Sequence, residues 1–189
     1  RRSLGQWPSR RLDPMTSSEM PPSTDTVLFT DLVGFTEYND AFGDAAAVEA
    51  LDAQLAIARS ALTGDSRLVK ELGDGLMFWF PHPTPALVAA TAILSGIDAA
   101  REHDGFPLGI RMGMHAGAVT ARGDDVVGHT VNVASRIVDL AGPGELVVSD
   151  SVVAALQPTA AMFQPVGPAR VKGVQAPVWL HRFAAPLAG

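Results

Sequence analysis

The chain has 189 residues, of which 47% are hydrophobic, with a formal net charge of −6 and no cysteine. That length and apolar content fit one domain with a sizeable core. The acidic balance leaves no basic footprint for nucleic acid, and the lack of thiols excludes disulfides, thiolate metal sites and cysteine nucleophiles.

Residues 1–25 are rich in Arg, Ser and Pro, without periodicity or an apolar stretch. They are expected to be a flexible lead-in rather than a signal peptide, with the folded domain over 26–185. No apolar run approaches the roughly 18 residues of a membrane span, so a cytoplasmic domain without a membrane segment is expected. Val27, Leu28 and Phe29 read as a short buried strand ending on Asp31, after which the chain turns through Gly34. Thr36 or Asn39 would cap the next helix. An acid at a strand end beside such a turn can hold a hard cation. The backbone N–H groups around Gly34, Phe35 and Thr36 can face phosphate oxygens. A solvated or capping Asp31 is an equal alternative at this point.

A helix is predicted over Asp44–Leu62, with Val48, Leu51, Leu55, Ala58 and Leu62 on one face and Gly64 closing it. Strands Arg67–Glu71 and Leu76–Phe80 follow, joined by a tight turn from Leu72 to Gly75. Asp74 serves that turn whatever else it does. After a Pro-rich connector, Thr84 caps a helix to about His103, with Leu87, Ala90, Leu94 and Ile97 on its apolar face. Leu108–His115 is a strand in which Gly113 and Gly117 permit close approach or a bulge. Ala118–Arg122 is a strand, Gly123 to Asp125 a turn, and Val131–Leu140 a helix. A strand Glu145–Ser149, a short helix Asp150–Leu156, and terminal strands at Val171 and Val178–Phe183 complete the chain. The order β-α-β-β-α-β with additional C-terminal β-α-β elements is that of an α+β fold. Its core is a ferredoxin-like split βαβ, with an antiparallel-rich sheet and helices on one face.

In that order the first strand and the central hairpin are neighbours, so Asp31 and Asp74 can converge. Two carboxylates so placed repel unless a cation lies between them, and paired divalent ions suit in-line attack at phosphorus. On the helix that follows Gly128, Asn132, Ser135, Arg136 and Asp139 fall at i, i+3, i+4 and i+7 and form a polar stripe. Asn is a poor helix former for a merely solvated position, and an Arg beside it can meet phosphoryl charge. Of 14 basic residues only Lys70 and Lys172 are Lys, which either marks places that need a compact ammonium instead of a fork or is chance. The five His show no paired metal-ligand spacing and read as turn or surface residues. No Walker A loop or Gly-x-Ser-x-Gly elbow is present.

Three segments together resemble the signatures of class III nucleotidyl cyclases. They are Phe29-Thr-Asp-Leu-Val-Gly-Phe-Thr36, Lys70-Glu-Leu-Gly-Asp-Gly75 and Gly128-His-Thr-Val-Asn-Val-Ala-Ser-Arg136. They stand in the family's order and separation, and the likeness covers about Thr26–Phe183. The resemblance implies that Asp31 and Asp74 bind two divalent cations, Mg²⁺ or Mn²⁺. It implies that Asn132 positions the ribose and Arg136 stabilises the transition state. Lys70 and Asp125 match the purine-reading positions, and Lys172 a lysine that contacts the terminal phosphates. His129 departs from the Asn that many members carry there.

Adenine offers an acceptor at N1 and a donor at N6, matching Lys70 and Asp125, whereas guanine reverses both. The expectation is therefore an adenylyl cyclase turning ATP into cyclic AMP and pyrophosphate. The resemblance also implies a homodimer whose sites are shared between catalytic domains. The alternatives are a degenerate, nucleotide-sensing cyclase domain, a guanylyl cyclase, or a dinucleotide-forming enzyme, whose acid cluster the hairpin lacks.

Overall fold

The strand β1 (Thr26–Val33) is apolar on both faces because both are covered. The computed structural model describes residues 25–156 and 162–184. From β1 the chain passes through α1 (Phe35–Phe42) and α2 (Asp44–Ser60) to the hairpin β2 (Arg67–Leu72) and β3 (Gly75–Phe80). Next come α3 (Pro83–His103), β4 (Gly109–Ala116), and a small hairpin of β5 (Thr120–Arg122) and β6 (Asp125–Val127). Helix α4 (His129–Ile137) runs into a 3-10 turn, Val138–Leu140, and is followed by β7 (Leu146–Ser149) and α5 (Asp150–Ala155). Strands β8 (Phe163–Ala169) and β9 (Val178–Phe183) end the described chain.

Seven strands form one sheet in the order β2-β3-β1-β4-β7-β9-β8. Strand β1 is antiparallel to both β3 and β4, and β4 is parallel to β7. The first four strands make the expected split βαβ core. Leu28, Leu32, Phe78, Phe80, Met112 and Met114 pack on one face against Ala50 and Ala58 of α2 and Ala90, Ile93 and Ile97 of α3. By strand alternation, Val27, Phe29 and Met77 point the other way, where they meet Val126, Ala134 and Val138. Helix α4 and the small hairpin therefore cover the second face, so the expectation of helices on one face is corrected.

Other boundaries differ for physical reasons. Strand β1 continues to Val33, so Asp31 lies inside it, paired with Gly75 on one side and Arg111 on the other. Gly34 precedes α1 at φ 79°, a left-handed conformation, and neither Thr36 nor Asn39 caps that helix. His82 caps α3, its Nδ1 accepting from the Thr84 amide at 3.2 Å. The buried face of α2 is Ala47, Ala50, Gln54 and Ala58, and Val48 is 54% exposed. Val171 lies outside any strand. The strand precedes it as β8, whose Pro165 and Pro168 are tolerated because β8 is the sheet edge and bulges between Pro165 and Gly167.

By length and composition α3 is apolar enough to cross a membrane, contrary to the reading of the sequence, because its Ala-rich window carries few charges. It lies against the sheet with Ala86, Leu87, Ala90, Ile93 and Ile97 in the core, as the central helix of a folded domain does.

Gly113 and Gly117 do permit close approach. A Cβ at Gly113 would stand 2.6 Å from Val138 Cα and 2.7 Å from the Ile137 carbonyl carbon, and at Gly117 2.7 Å from Thr130 Oγ1. The end of α4 thus rests directly on the backbone of β4. Gly113→Ala must push backbone against backbone, so a loss of about 1–3 kcal/mol or more is expected in urea unfolding.

His115 and His181 lie in strands rather than turns. His115 Nδ1 sits 2.7 Å from Ser149 Oγ, and burial, with His129 nearby, lowers its pKa to about 4. The neutral ring is favoured in the folded state, while the unfolded ring titrates near 6.5. Its contribution is therefore complete above about pH 6.5 and is lost as pH falls towards 4, roughly 3 kcal/mol for one proton. His115→Gln is expected to flatten the pH dependence of the unfolding free energy relative to the parent in that window.

Candidate active site

Asp31 is held from the side of β4. Arg111 Nε donates to Asp31 Oδ2 at 2.7 Å, and its Nη2 is ion-paired with the same oxygen at 2.6 Å. The other oxygen, Oδ1, lies towards β3, 3.8 Å from where a Cβ on Gly75 would stand. The glycine thus keeps the space between Asp31 and the hairpin turn open. Asp74 sits in that turn, and its carboxyl pKa is raised, first by burial and then by the charge of Asp31, with Arg111 partly offsetting the effect. The two acids therefore share one electrostatic neighbourhood. From below, Gln54 Nε2 donates to the main-chain oxygen of Asp74 at 3.2 Å.

Both acids offer hard oxygen donors, and the charge of Asp31 disfavours the ionised form of Asp74. That donor chemistry fits Mg²⁺ or Mn²⁺. Among the described residues no group of three or more His, Cys, Asp or Glu could hold a metal ion. The remaining coordination positions would fall to water and phosphate oxygens, as is usual for Mg²⁺.

Gly34 and Thr36 are exposed and Phe35 is half-buried against the core. No side chain caps α1, which leaves the first amides of the helix for another acceptor.

Lys70 Nζ and Asp125 Oδ2 are 2.7 Å apart. A bulge between Leu68 and Lys70 lets Val69 pack with Val27 and Phe29 while Lys70 turns to β6. Asp125 opens β6 instead of lying in the turn. Its Oδ1 accepts from the Val126 amide at 2.8 Å, and the bond from Lys70 is the main cause that lowers its pKa. The Arg67 guanidinium lies nearby, 5.7 Å from the Trp79 ring centre.

Asn132 and Arg136 are exposed on α4, whose buried side is Thr130, Val133, Ala134 and Ile137. Ser135 Oγ donates to the Asn132 carbonyl at 2.9 Å, and Arg136 lies 3.9 Å from Asp139. Lys172 is exposed in a turn with Gly173, which has φ 85°. The structure therefore brings Asp31 near Asp74, and Lys70 to Asp125. Among the described residues, no hydrogen bond or ion pair joins Asn132 or Arg136 to either metal-binding candidate.

Two residues of this region escaped the sequence reading. Arg111 had a signal, being the one charged side chain in the apolar run Gly109–Ala116. Gln54 had one too, since it falls four residues from both Ala50 and Ala58 on the buried face of α2.

The family model for the adenylate and guanylate cyclase catalytic domain matches residues 19–182. The chain belongs to this family. A pH-sensitive adenylate cyclase, MT1302, from Mycobacterium tuberculosis (strain CDC 1551 / Oshkosh) is 36% identical over 162 residues, covering 83% of this chain and 40% of the relative. An adenylate cyclase of Streptomyces griseus is 32% identical over 155 residues, covering 82% and 38%. The cyclase domain thus spans about two fifths of the length of the curated relatives it matches. Among solved structures, the adenylyl cyclase CyaB from P. aeruginosa shares the fold at a TM-score of 0.76 and 23% identity, over 86% of this chain and 94% of that one. The catalytic core of a rhodopsin-guanylyl cyclase with converted specificity, in complex with ATPalphaS, matches at a TM-score of 0.71 and 26% identity, over 86% and 96%.

The Lys70–Asp125 pair is about as exposed as it is close, at 36% and 37% of the side-chain surface. Such a pair adds at most about 1 kcal/mol to the fold. Lys70→Met is expected to leave the free energy of urea unfolding within about that margin of the parent.

Proposed function

We propose that this domain is an adenylyl cyclase that converts ATP to cyclic AMP and pyrophosphate, at sites shared by two copies. The observation that carries this reading is the Lys70–Asp125 contact at 2.7 Å, which sets a donor beside an acceptor. Adenine presents the complementary acceptor N1 and donor N6, and guanine presents the reverse. Lys70 would donate to N1 and Asp125 accept from the N6 amino group. The substrate would be the cytoplasmic ATP pool.

The remaining roles follow from charge and position. The Asn132 amide would hold a ribose oxygen. Arg136, exposed on α4, would meet the charge that grows on the α-phosphoryl group as the 3′-oxygen attacks in line and the bond to pyrophosphate breaks. Lys172 would contact the terminal phosphates, and the uncapped amides at Gly34, Phe35 and Thr36 would face phosphate oxygens. Asp31 and Asp74 would hold two divalent cations, which when bound lower the pKa of the 3′-hydroxyl and neutralise the triphosphate. Arg111 fixes the direction of the Asp31 carboxylate.

Sharing of the site is supported by the sheet face. Asp31 has the same strand parity as Val27 and Phe29, and so belongs to the face that carries α4. Yet among the described residues no hydrogen bond or ion pair joins Asn132 or Arg136 to the acids. A two-fold partner on that face would supply Asn132, Arg136, Lys70 and Asp125 to the acids of the first copy, and receive the same in return.

Incubation with ATP and Mn²⁺ is expected to yield cyclic AMP, and far less cyclic nucleotide from GTP. Asp31→Ala, Asp74→Ala and Arg136→Ala should each be inactive alone. Mixed under conditions of subunit exchange, Asp31→Ala and Arg136→Ala should recover about a quarter of parental activity. Half the dimers are then mixed, and each of those holds one intact site of two. No recovery after proven exchange would place all the residues of a site in one chain.

A further inference from the structure

Gln54 is the one polar residue on the buried face of α2, among Ala47, Ala50 and Ala58, and it is 1% exposed. A primary amide in such a place destabilises the fold unless it is hydrogen-bonded. Its partner is not a neighbouring turn of helix. Nε2 donates to the main-chain oxygen of Asp74, 20 residues along, at 3.2 Å. That oxygen belongs to the tip of the β2–β3 hairpin, where Gly73 takes a left-handed φ of 68° and Asp74 follows it. β2 is the edge strand of the sheet, so within the sheet the hairpin is paired through β3 alone, with Lys70–Asp125 and Arg59–Glu71 as side-chain links further along β2. Gly73 and Asp74 lie beyond the last ladder pair of the hairpin, Leu72 with Gly75, and Gln54 holds them from α2.

Resting on the cyclase reading above, we propose that Gln54 is a positioning residue that sets the Asp74 carboxylate against Asp31 for cation binding. The two carboxylates repel each other when no cation lies between them, and a tilt of the turn away from β1 is the simplest relief. The amide of Gln54 opposes that tilt through the backbone, without itself taking up a side-chain oxygen of Asp74. Its anchor is the main core, since Ala50 and Ala58 on either side of it are buried there.

The test is direct Mn²⁺ binding to the protein with a non-hydrolysable ATP analogue, read by the electron paramagnetic resonance signal of free Mn²⁺. Gln54→Met keeps the volume and removes the donor. The expected result is an apparent Mn²⁺ dissociation constant raised by about tenfold, the usual scale for removing a partner behind a ligand. The KM for ATP at saturating Mn²⁺ should change less than about twofold. A Gln54→Met protein that is less stable but binds Mn²⁺ as the parent does would overturn the proposal. Should that variant not fold, the parent carries the second measurement. In glutamine-labelled protein, the Gln54 side-chain NH₂ resonance should shift with Mg²⁺ at the same midpoint as the Asp74 amide, and an unmoved resonance overturns it. A parent that binds Mn²⁺ through Asp74 but makes no cyclic AMP removes the cyclase reading and leaves this test standing. A parent that binds no Mn²⁺ removes both.

Discussion

The antiparallel pairing of β1 with β3 on one edge and β4 on the other governs the geometry of the site. Because β1 is hydrogen-bonded along both edges, Asp31 has no freedom to slide, and its neighbours are set by register as Gly75 and Arg111. One neighbour contributes no side chain and so leaves room, while the other contributes a cation that meets one carboxylate oxygen. A one-residue slip would exchange the two faces of the strand and bury the acid among the residues that pack on α2 and α3. Val27, Leu28, Phe29 and Leu32 are buried on one face or the other, so it is the cost of burying the Asp31 charge that opposes the slip.

The two faces of the sheet divide the labour. The α2 and α3 side is built from Ala, Ile, Leu, Met and Phe and supplies most of the buried apolar surface. The α4 side is thinner, closed by smaller clusters around Val27 and Val133. Its exposed polar groups stand on short elements placed by close contacts, such as Gly113 under Val138. The larger core lies on one face, and the candidate site residues Asp31, Asn132 and Arg136 belong to the other. Gln54 is a point at which the first reaches through to the second.

Much of this was legible in the residues. The Asp-Gly turn, the long helix after the prolines and the two glycines of β4 all carry local signals strong enough to survive tertiary context. The motif residues Asp31, Asp74, Lys70, Asp125, Asn132 and Arg136 could be picked out, and the structure brings the first four together as two pairs. What periodicity could not show was which side of the sheet α4 covers, because a nine-residue amphipathic helix presents the same pattern to either face. Two prolines hid β8, since the sequence does not state that a strand is an edge. The α2 face was misjudged by counting large apolar residues. Close packing under the sheet selects small ones there, and Val48 is left outside. Arg111 was overlooked because its partner is 80 residues away, and only the sheet register makes them neighbours.

The ends of the sheet have a consequence for how copies of the domain can meet. At one end β8 carries two prolines and a bulge, and at the other β2 carries Arg67, Lys70 and Glu71 with a bulge of its own. Neither border offers the flat row of free amides and carbonyls that an incoming strand needs. Strand-to-strand growth, which has no natural stopping point, is thereby discouraged at both ends. A two-fold contact between broad surfaces would, by contrast, use up the same patch on both copies and stop at two.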